Sequence, residues 1–152
     1  MGTATEPKGA AAASEYLRWK KDVDQHDYAA ASSYLSIRFG KTHAEKVAAE
    51  LRKLPVITRR ANDILRATGR TPLPLSDPGV LKDLKKVLAG QKLSPILVAE
   101  SDIADGYHRL SLAYASTRTR RCRSSSGESP RYGRYRRGGY RGPVGSVSVH
   151  LP

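Results

Sequence analysis

Apolar residues recur at intervals of three and four through the first half of the chain, a spacing typical of amphipathic helices. This pattern predicts helices over residues 14–23, 27–39 and 42–54, and a short helical or mixed segment over residues 59–67. Ser14 is the expected N-cap of the first helix. Gly40 and Pro55 are expected to end the second and third helices. Thr42 and Glu45 fit a capping box at the start of the third.

The pattern changes after Gly69, where a proline-rich segment rules out a regular helix. A further helix is predicted over residues 80–88, opened by Ser76 or Asp77. The short apolar run P-I-L-V-A at residues 95–99 is typical of a buried strand. A turn at residues 100–102 then leads to a tight glycine turn that runs directly into another helix, and V-G-S-V-S-V-H-L near the end alternates as a strand does.

These elements predict an α+β fold in which a helical N-terminal half packs on a small sheet-and-helix unit. Residues 1–13 are Ala- and Gly-rich and are expected to be disordered. Residues 14–116 are expected to form a single domain. Residues 117–152 are a basic, low-complexity tail of Arg, Gly, Ser and Tyr that is expected to be disordered, because such a composition cannot bury a core.

The net charge of +13 is unevenly distributed along the chain. Residues 1–116 carry +5 and residues 117–152 carry +8, so an argument from total charge concerns mostly the tail. The single cysteine, Cys122, allows no internal disulfide and no cysteine-based zinc cage, which favours a reducing cytoplasm and predicts no metal site. No apolar run approaches 18 residues, so no membrane span is expected.

The candidate chemistry lies in D-G-Y-H-R, residues 105–109, between the predicted strand and the following helix. A strand that ends in a glycine turn and opens a helix brings free backbone N–H groups and a positive helix end together. Gly106 would let a ligand approach the backbone closely. Arg109 can form a bidentate contact with phosphate oxygens and His108 can donate another hydrogen bond. The unit therefore suits a di- or triphosphate.

The segment K-D-L-K-K-V-L-A-G-Q-K-L-S-P-I-L-V-A-E-S-D-I-A-D-G-Y-H-R-L-S-L-A resembles the core of the ParB/sulfiredoxin superfamily. Sulfiredoxins have Gly-Gly-Cys-His-Arg at the glycine turn, and Gly106, His108 and Arg109 match that form. The resemblance implies that these three residues bind the phosphates of a nucleoside triphosphate such as ATP or CTP, with Mg²⁺. A weaker similarity extends to residues 62–66. The residues expected to line the same cleft are Asp105, Tyr107, Asn62, Asp63 and Arg66.

The departures from the family limit the activity that the resemblance implies. Tyr107 stands where sulfiredoxins have the catalytic cysteine, so sulfinic acid reduction is not expected. The acidic and amide residues that ParB proteins use for nucleotide hydrolysis have no clear counterpart, and no helix-turn-helix region follows. What remains is a nucleotide-binding domain of bacterial or phage origin, and any enzymatic activity would be nucleotide hydrolysis or phosphoryl transfer.

The same turn could instead hold another phosphate-bearing cofactor in a toxin or accessory protein. Two further alternatives stay open from the sequence. In one, D-G-Y-H-R is an ordinary turn in which Asp105 caps the helix and Arg109 is solvated. In the other, the protein is a non-enzymatic nucleic-acid-binding protein. It would use a lysine face at residues 82, 85 and 86 and the basic tail, where Arg would contact phosphates and Tyr would stack on bases.

The origin of the tail is a separate hypothesis. In the superfamily, the helix after the glycine turn leads to an acidic turn and a short aliphatic strand. GC-rich codons allowed for residues 114–126, reread from each codon's third base, can spell Cys-Glu-His-Pro-Asp-Ala-Glu-Val-Pro-Phe-Val-Val. The tail would then be an out-of-frame translation, and the sheet would lack its last strand. The coding DNA tests this hypothesis directly.

Overall fold

The computed structural model describes residues 17–122 and 146–150, with side chains described over 17–116. Within that part of the chain there are five helices and four strands. The helices are α1 (Gln25–Phe39), α2 (Lys41–Lys53), α3 (Ala61–Thr68), α4 (Pro78–Leu88) and α5 (Tyr107–Cys122). The strands are β1 (Val56–Arg60), β2 (Ile96–Ala99), β3 (Asp102–Asp105) and β4 (Ser146–His150). The predicted α+β class is confirmed.

The four strands form one sheet in the order β1-β4-β2-β3. β4 pairs antiparallel with β1 and parallel with β2, while β2 and β3 form an antiparallel hairpin. The alternating segment near the end of the chain is therefore a strand, and the expected disorder of the tail is wrong for residues 146–150. Residues 123–145 of the tail lie outside the described part of the chain. β4 lies between β1 and β2 in the interior of the sheet. The described sheet therefore has a strand from the tail, whereas the out-of-frame hypothesis expected the sheet to lack its last strand. α5 continues through the predicted domain boundary at residue 116.

Helices cover the sheet on both faces. Alternate residues of β2 point to opposite faces, and all four are buried apolar residues, so each face needs a covering layer. On one face, Leu97 and Ala99 pack with α1 and α2 through buried residues such as Leu35 and Leu51. On the other face, Ile96 packs with α3 and α5. α4 lies beside α5, and the buried residues of this third cluster are Val80, Val87, Leu93 and Leu112.

Several predicted elements agree with the structure. α1 ends at Gly40, which has φ +83°. α4 is N-capped by Asp77, whose carboxylate accepts from the backbone N–H of Gly79 at 2.8 Å and of Val80 at 3.2 Å. The strand predicted at 95–99 is β2, and its four residues are all buried.

The first predicted helix is wrong over its described part. Leu17 and Trp19 are half-buried while Arg18 and Lys20 are exposed, which is the alternation of an extended chain. Lys20 N–H donates to Leu93 O and Leu93 N–H donates to Arg18 O, both at 2.8 Å. The residues that could have extended this helix to the N-terminal side, including Ser14, lie outside the described part of the chain.

The predicted capping box is also wrong. α2 begins one residue early, Gly40 is its N-cap, and no side chain caps it. Glu45 instead lies 3.9 Å from Lys41 in an exposed ion pair.

Two short strands were not predicted. β1 ends at Arg60, inside the segment expected to be helical or mixed. Its local sequence does not reveal it, because β1 pairs with β4, whose residues are 86 or more positions away. β3 begins within the predicted turn. In the hairpin turn before β3, Glu100 and Ser101 have φ values of +53° and +59°. Such turns usually contain Gly, Asn or Asp, so the sequence does not indicate this one.

Candidate functional site

The glycine turn joins β3 directly to α5. Gly106 is buried and has φ +97°, a region that L side chains rarely adopt. A Cβ at this position would lie 3.0 Å from Arg109 Nη2 and 3.1 Å from Ile96 Cγ1. The turn is therefore glycine for two reasons, its backbone conformation and the close approach of the Arg109 guanidinium.

Arg109 is held by two carboxylates. Its Nη2 donates to Asp105 Oδ2 at 2.8 Å and to Asp27 Oδ2 at 3.0 Å, with a longer contact to Pro95 O at 3.4 Å. Its side chain is only 15% exposed, so it is not the solvated arginine that the ordinary-turn alternative expected. Nε of Arg109 is buried and has no hydrogen-bond partner among the described residues.

The two carboxylates differ in their surroundings. The side chain of Asp27 is 4% exposed and also contacts His26, whose Nε2 lies 3.0 Å from Asp27 Oδ1. Burial raises the pKa of Asp105, and the nearby Asp27 charge adds to this rise, while Arg109 opposes it. One guanidinium therefore balances two carboxylates that repel each other.

His108 lies at the junction of α5 and α4. A Cβ on Gly79 would lie 2.8 Å from His108 Cε1 and closer still to Cδ2 and Nε2, so the imidazole rests on the bare backbone of Gly79. His108 Nε2 is 3.5 Å from Asp77 Oδ1, the N-cap carboxylate of α4. About half of the imidazole is exposed to solvent, at 52%.

The first turns of three helices are therefore in contact with residues of the glycine turn or with the two residues that follow Tyr107. α5 starts there, α4 meets it through His108 on Gly79, and the first turn of α1 meets it through Asp27 on Arg109. The first N–H groups of a helix have no intrahelical partner and carry the positive end of the helix dipole. The first bond in α5 is from Leu110 N–H to Gly106 O at 2.9 Å, which leaves the N–H groups of the preceding residues outside the helical ladder.

Tyr107 faces a second polar cluster. Its hydroxyl donates to Thr71 O, next in the chain to Arg70. Arg70 in turn binds Asp102, the first residue of β3. The glycine turn is thus flanked on this side by the ion pair of Arg70 and Asp102.

Asn62, Asp63 and Arg66, which the sequence predicted as cleft-lining residues, are exposed on α3. α3 packs through its buried residues on the face of the sheet that also carries α5. Sequence reasoning missed Asp27, Asp77 and Arg70 as neighbours of the turn. The sequence did indicate that Asp77 could begin α4. No local sequence pattern indicates that Asp27 and Arg109 form a pair.

Three potential metal-ligating residues lie together at the start of α1. Oxygen or nitrogen atoms of Asp24, His26 and Asp27 are all within 4.8 Å of one another. Existing partners already balance these carboxylates, because Lys20 Nζ is 2.8 Å from both oxygens of Asp24 and Arg109 binds Asp27. A cation would have to displace Lys20.

Comparisons of the chain with protein-family models, with curated proteins and with solved structures find no match. Among the described residues, no helix is both long and apolar enough to cross a membrane.

Proposed function

We propose that this protein binds the phosphate groups of a nucleoside triphosphate, ATP or CTP with Mg²⁺, at the turn of Gly106, His108 and Arg109. The observation that carries the proposal is the contact of His108 with Gly79, which joins the N-terminal ends of α4 and α5 beside a half-exposed imidazole. Helix N-termini attract anions through their free N–H groups and their dipoles. Here the first N–H groups of α5 would supply the donors, because Asp77 already accepts from Gly79 N–H and Val80 N–H at the start of α4. The resemblance of residues 82–113 to the ParB/sulfiredoxin core supports the same location.

Arg109 has a more limited part in this proposal than the sequence suggests. Two carboxylates occupy its Nη2, so phosphate would compete with Asp27 and Asp105 for the guanidinium. Its buried Nε still lacks a partner among the described residues, and a buried donor left unsatisfied costs about 1–3 kcal/mol.

His108→Ala is the sharpest test. It removes the imidazole but leaves the bonds of Asp77 to the first turn of α4 intact. Arg109→Ala is less informative because it would leave Asp27 and Asp105 as buried carboxylates without their cation. His43→Ala is the matched control, since His43 is also half exposed and beside a carboxylate, 3.3 Å from Glu100.

We expect calorimetric titration of ATP, CTP and GTP with Mg²⁺ to show saturable binding to the wild type and to His43→Ala. Binding to His108→Ala should be at least about tenfold weaker, since a hydrogen bond to a charged group contributes about 1.5–3 kcal/mol. If the folded wild type binds none of the three nucleotides, or if both variants bind equally well, the proposal is wrong.

Nucleic-acid binding is a second candidate, favoured by one observation. Arg59 and Arg60 of β1 are exposed, and β4 pairs with them at its first residues, Ser146 and Val147. In the sequence, the Arg-rich residues 123–145 directly precede Ser146, which pairs with Arg60. Deleting residues 117–152 would remove β4 from inside the sheet, so replacing the arginines of 123–145 with Gln is the better test. Nucleic-acid binding that is steeply salt-dependent in the wild type, and weakened by this replacement, would favour the candidate.

A further inference from the structure

Asp102 is fully saturated with hydrogen bonds. Its oxygens accept from Arg70 Nε at 2.9 Å, Arg70 Nη2 at 2.8 Å, Tyr34 Oη at 2.5 Å and its neighbour Ile103 N–H at 2.8 Å. Arg38 Nη1 donates to the same carboxylate. The Asp102 side chain is 3% exposed, and Arg70 alone would neutralise its charge.

The second arginine leaves an excess of positive charge at this point. Arg38 and Arg70 form their ion pairs with Asp102, and among the described side chains neither pairs with a second carboxylate. Glu100, two residues from Asp102 in the chain, lies instead beside His43 at 3.3 Å. The cluster therefore has a formal charge of +1.

Both guanidiniums are also fixed and accessible. Arg38 is 45% exposed and Arg70 43% exposed, and no hydrogen bond from Arg38 Nη2 or Arg70 Nη1 to a described residue is seen. Tyr34 adds to the rigidity, since Arg70 Nη2 also donates to its hydroxyl oxygen at 2.9 Å. Planar guanidiniums held in place lose little entropy when they bind an oxyanion, and their fork geometry matches phosphate oxygens.

We propose that Arg38 and Arg70 form a phosphate-binding site, with Asp102 and Tyr34 as the residues that position them. Each arginine would use its solvent-facing N–H groups on the phosphate oxygens and keep its bonds to Asp102. The site lies on the Tyr107 side of the glycine turn, whereas His108 and Arg109 face α4 and α1. It does not depend on the nucleotide proposal, because it uses none of the residues of the turn of Gly106, His108 and Arg109.

Arg38→Gln is the appropriate variant, because Arg70 keeps its two bonds to Asp102 and the buried carboxylate remains paired. Arg52→Gln is the matched control. Arg52 is another helical arginine that lies 4.3 Å from the centre of the Tyr28 ring and donates to Gln25 at 2.5 Å, so its loss removes the same charge elsewhere. Urea unfolding of both variants would establish that each remains folded.

The experiment is calorimetric titration of inorganic phosphate into the full chain at constant ionic strength, with ATP as a second arm. We expect phosphate to bind the wild type and Arg52→Gln within about threefold of each other, and Arg38→Gln at least about tenfold more weakly. Phosphate should also shift the Nε–Hε NMR signal of Arg70.

Equal phosphate affinities for Arg38→Gln and Arg52→Gln, or no phosphate binding to the wild type, would overturn the inference. The ATP arm separates it from the proposed function. Loss of ATP binding in His108→Ala with unchanged phosphate binding supports two distinct sites. ATP binding that survives in His108→Ala contradicts the proposed function and leaves the phosphate affinities of Arg38→Gln and Arg52→Gln to decide this inference.

Discussion

Arg109 and Asp27 lie 82 positions apart in the chain, yet Arg109 Nη2 donates to Asp27 Oδ2 at 3.0 Å in the interior of the protein. This bond connects the first turn of α1 with the first turn of α5, on either side of the sheet edge formed by β3. Asp105, at the end of β3, binds the same nitrogen at 2.8 Å. The glycine turn is thereby held in place by a helix from the opposite end of the described chain.

Asp27→Asn tests this connection. We expect a loss of about 2 kcal/mol in the free energy of unfolding, because a charge-assisted bond to a buried arginine is replaced by a neutral one. The measurement is urea unfolding, with Asp22→Asn at an exposed position as the control. The variant should also lower the pKa of Asp105, whose rise is due in part to the Asp27 charge. An unchanged Asp105 pKa by NMR would contradict the arrangement.

Asp102→Asn should be more destabilising. Arg70 and Arg38 would lose the buried carboxylate that both bind, and removal of one partner from such a pair costs about 3–5 kcal/mol. Since both arginines are almost half exposed and can be resolvated, we expect a value near the lower end, about 3 kcal/mol. Asp63→Asn, on the exposed face of α3, should change the free energy of unfolding by less than about 0.5 kcal/mol. Similar effects of the two substitutions would argue against the cluster.

Gly79→Ala provides a test in which the sign changes. Alanine ordinarily stabilises a helix relative to glycine by about 1 kcal/mol, but here its Cβ would overlap the His108 imidazole. Because the imidazole is half exposed and can rotate away at modest cost, we expect the single substitution to destabilise the protein by no more than about 1 kcal/mol. In a His108→Ala background the obstacle is gone, so the same substitution should be neutral or stabilising. Thermal unfolding of the four proteins in this double-mutant cycle measures the coupling, and additive effects would show that His108 does not rest on Gly79.

Asp102 and Asp105 should change the free energy of unfolding in opposite directions as the pH falls. Hydrogen bonds from Arg70 hold the pKa of Asp102 well below its ordinary value. Its contribution is therefore complete above an unfolded pKa of about 3.9 and is lost as the pH falls toward the folded pKa. Burial raises the pKa of Asp105, so the folded state binds the proton more tightly, and this group lowers stability as the pH rises from about 3.9 through its folded pKa.

Two variants separate these contributions. As the pH falls from about 5 to about 3, past the ordinary Asp pKa of about 3.9 that both groups have in the unfolded chain, Asp102→Asn should lose less stability than the wild type and Asp105→Asn should lose more. Chemical unfolding at several pH values measures both slopes. Parallel curves for all three proteins would show that neither group has a shifted pKa.

Part of the fold could be predicted because its signals are local. The spacing of Leu35 with its neighbours, the cap at Asp77 and the apolar run at 96–99 each identify an element within a few residues. The prediction for the segment before α1 is wrong because its local signal is ambiguous. The apolar residues at 17, 19 and 23 are too few to distinguish the spacing of a helix from the alternation of an extended chain. β1 and β3 are only five and four residues long, and such short strands form where a partner strand is available.

The sequence by itself determined the α+β class, the helix α4, the strand β2, the helix α5 and the glycine turn at Gly106, because helix periodicity, capping and the demand for a positive φ act between near neighbours. It did not determine β3, which lies between β2 and that turn. Only the tertiary structure decided which charges meet. Arg109 is bound to Asp27 and Asp105, and Arg38 and Arg70 share Asp102. These pairings join residues up to 82 positions apart, and burial selects them, since a charge removed from water must find a partner wherever the packed helices and strands place one.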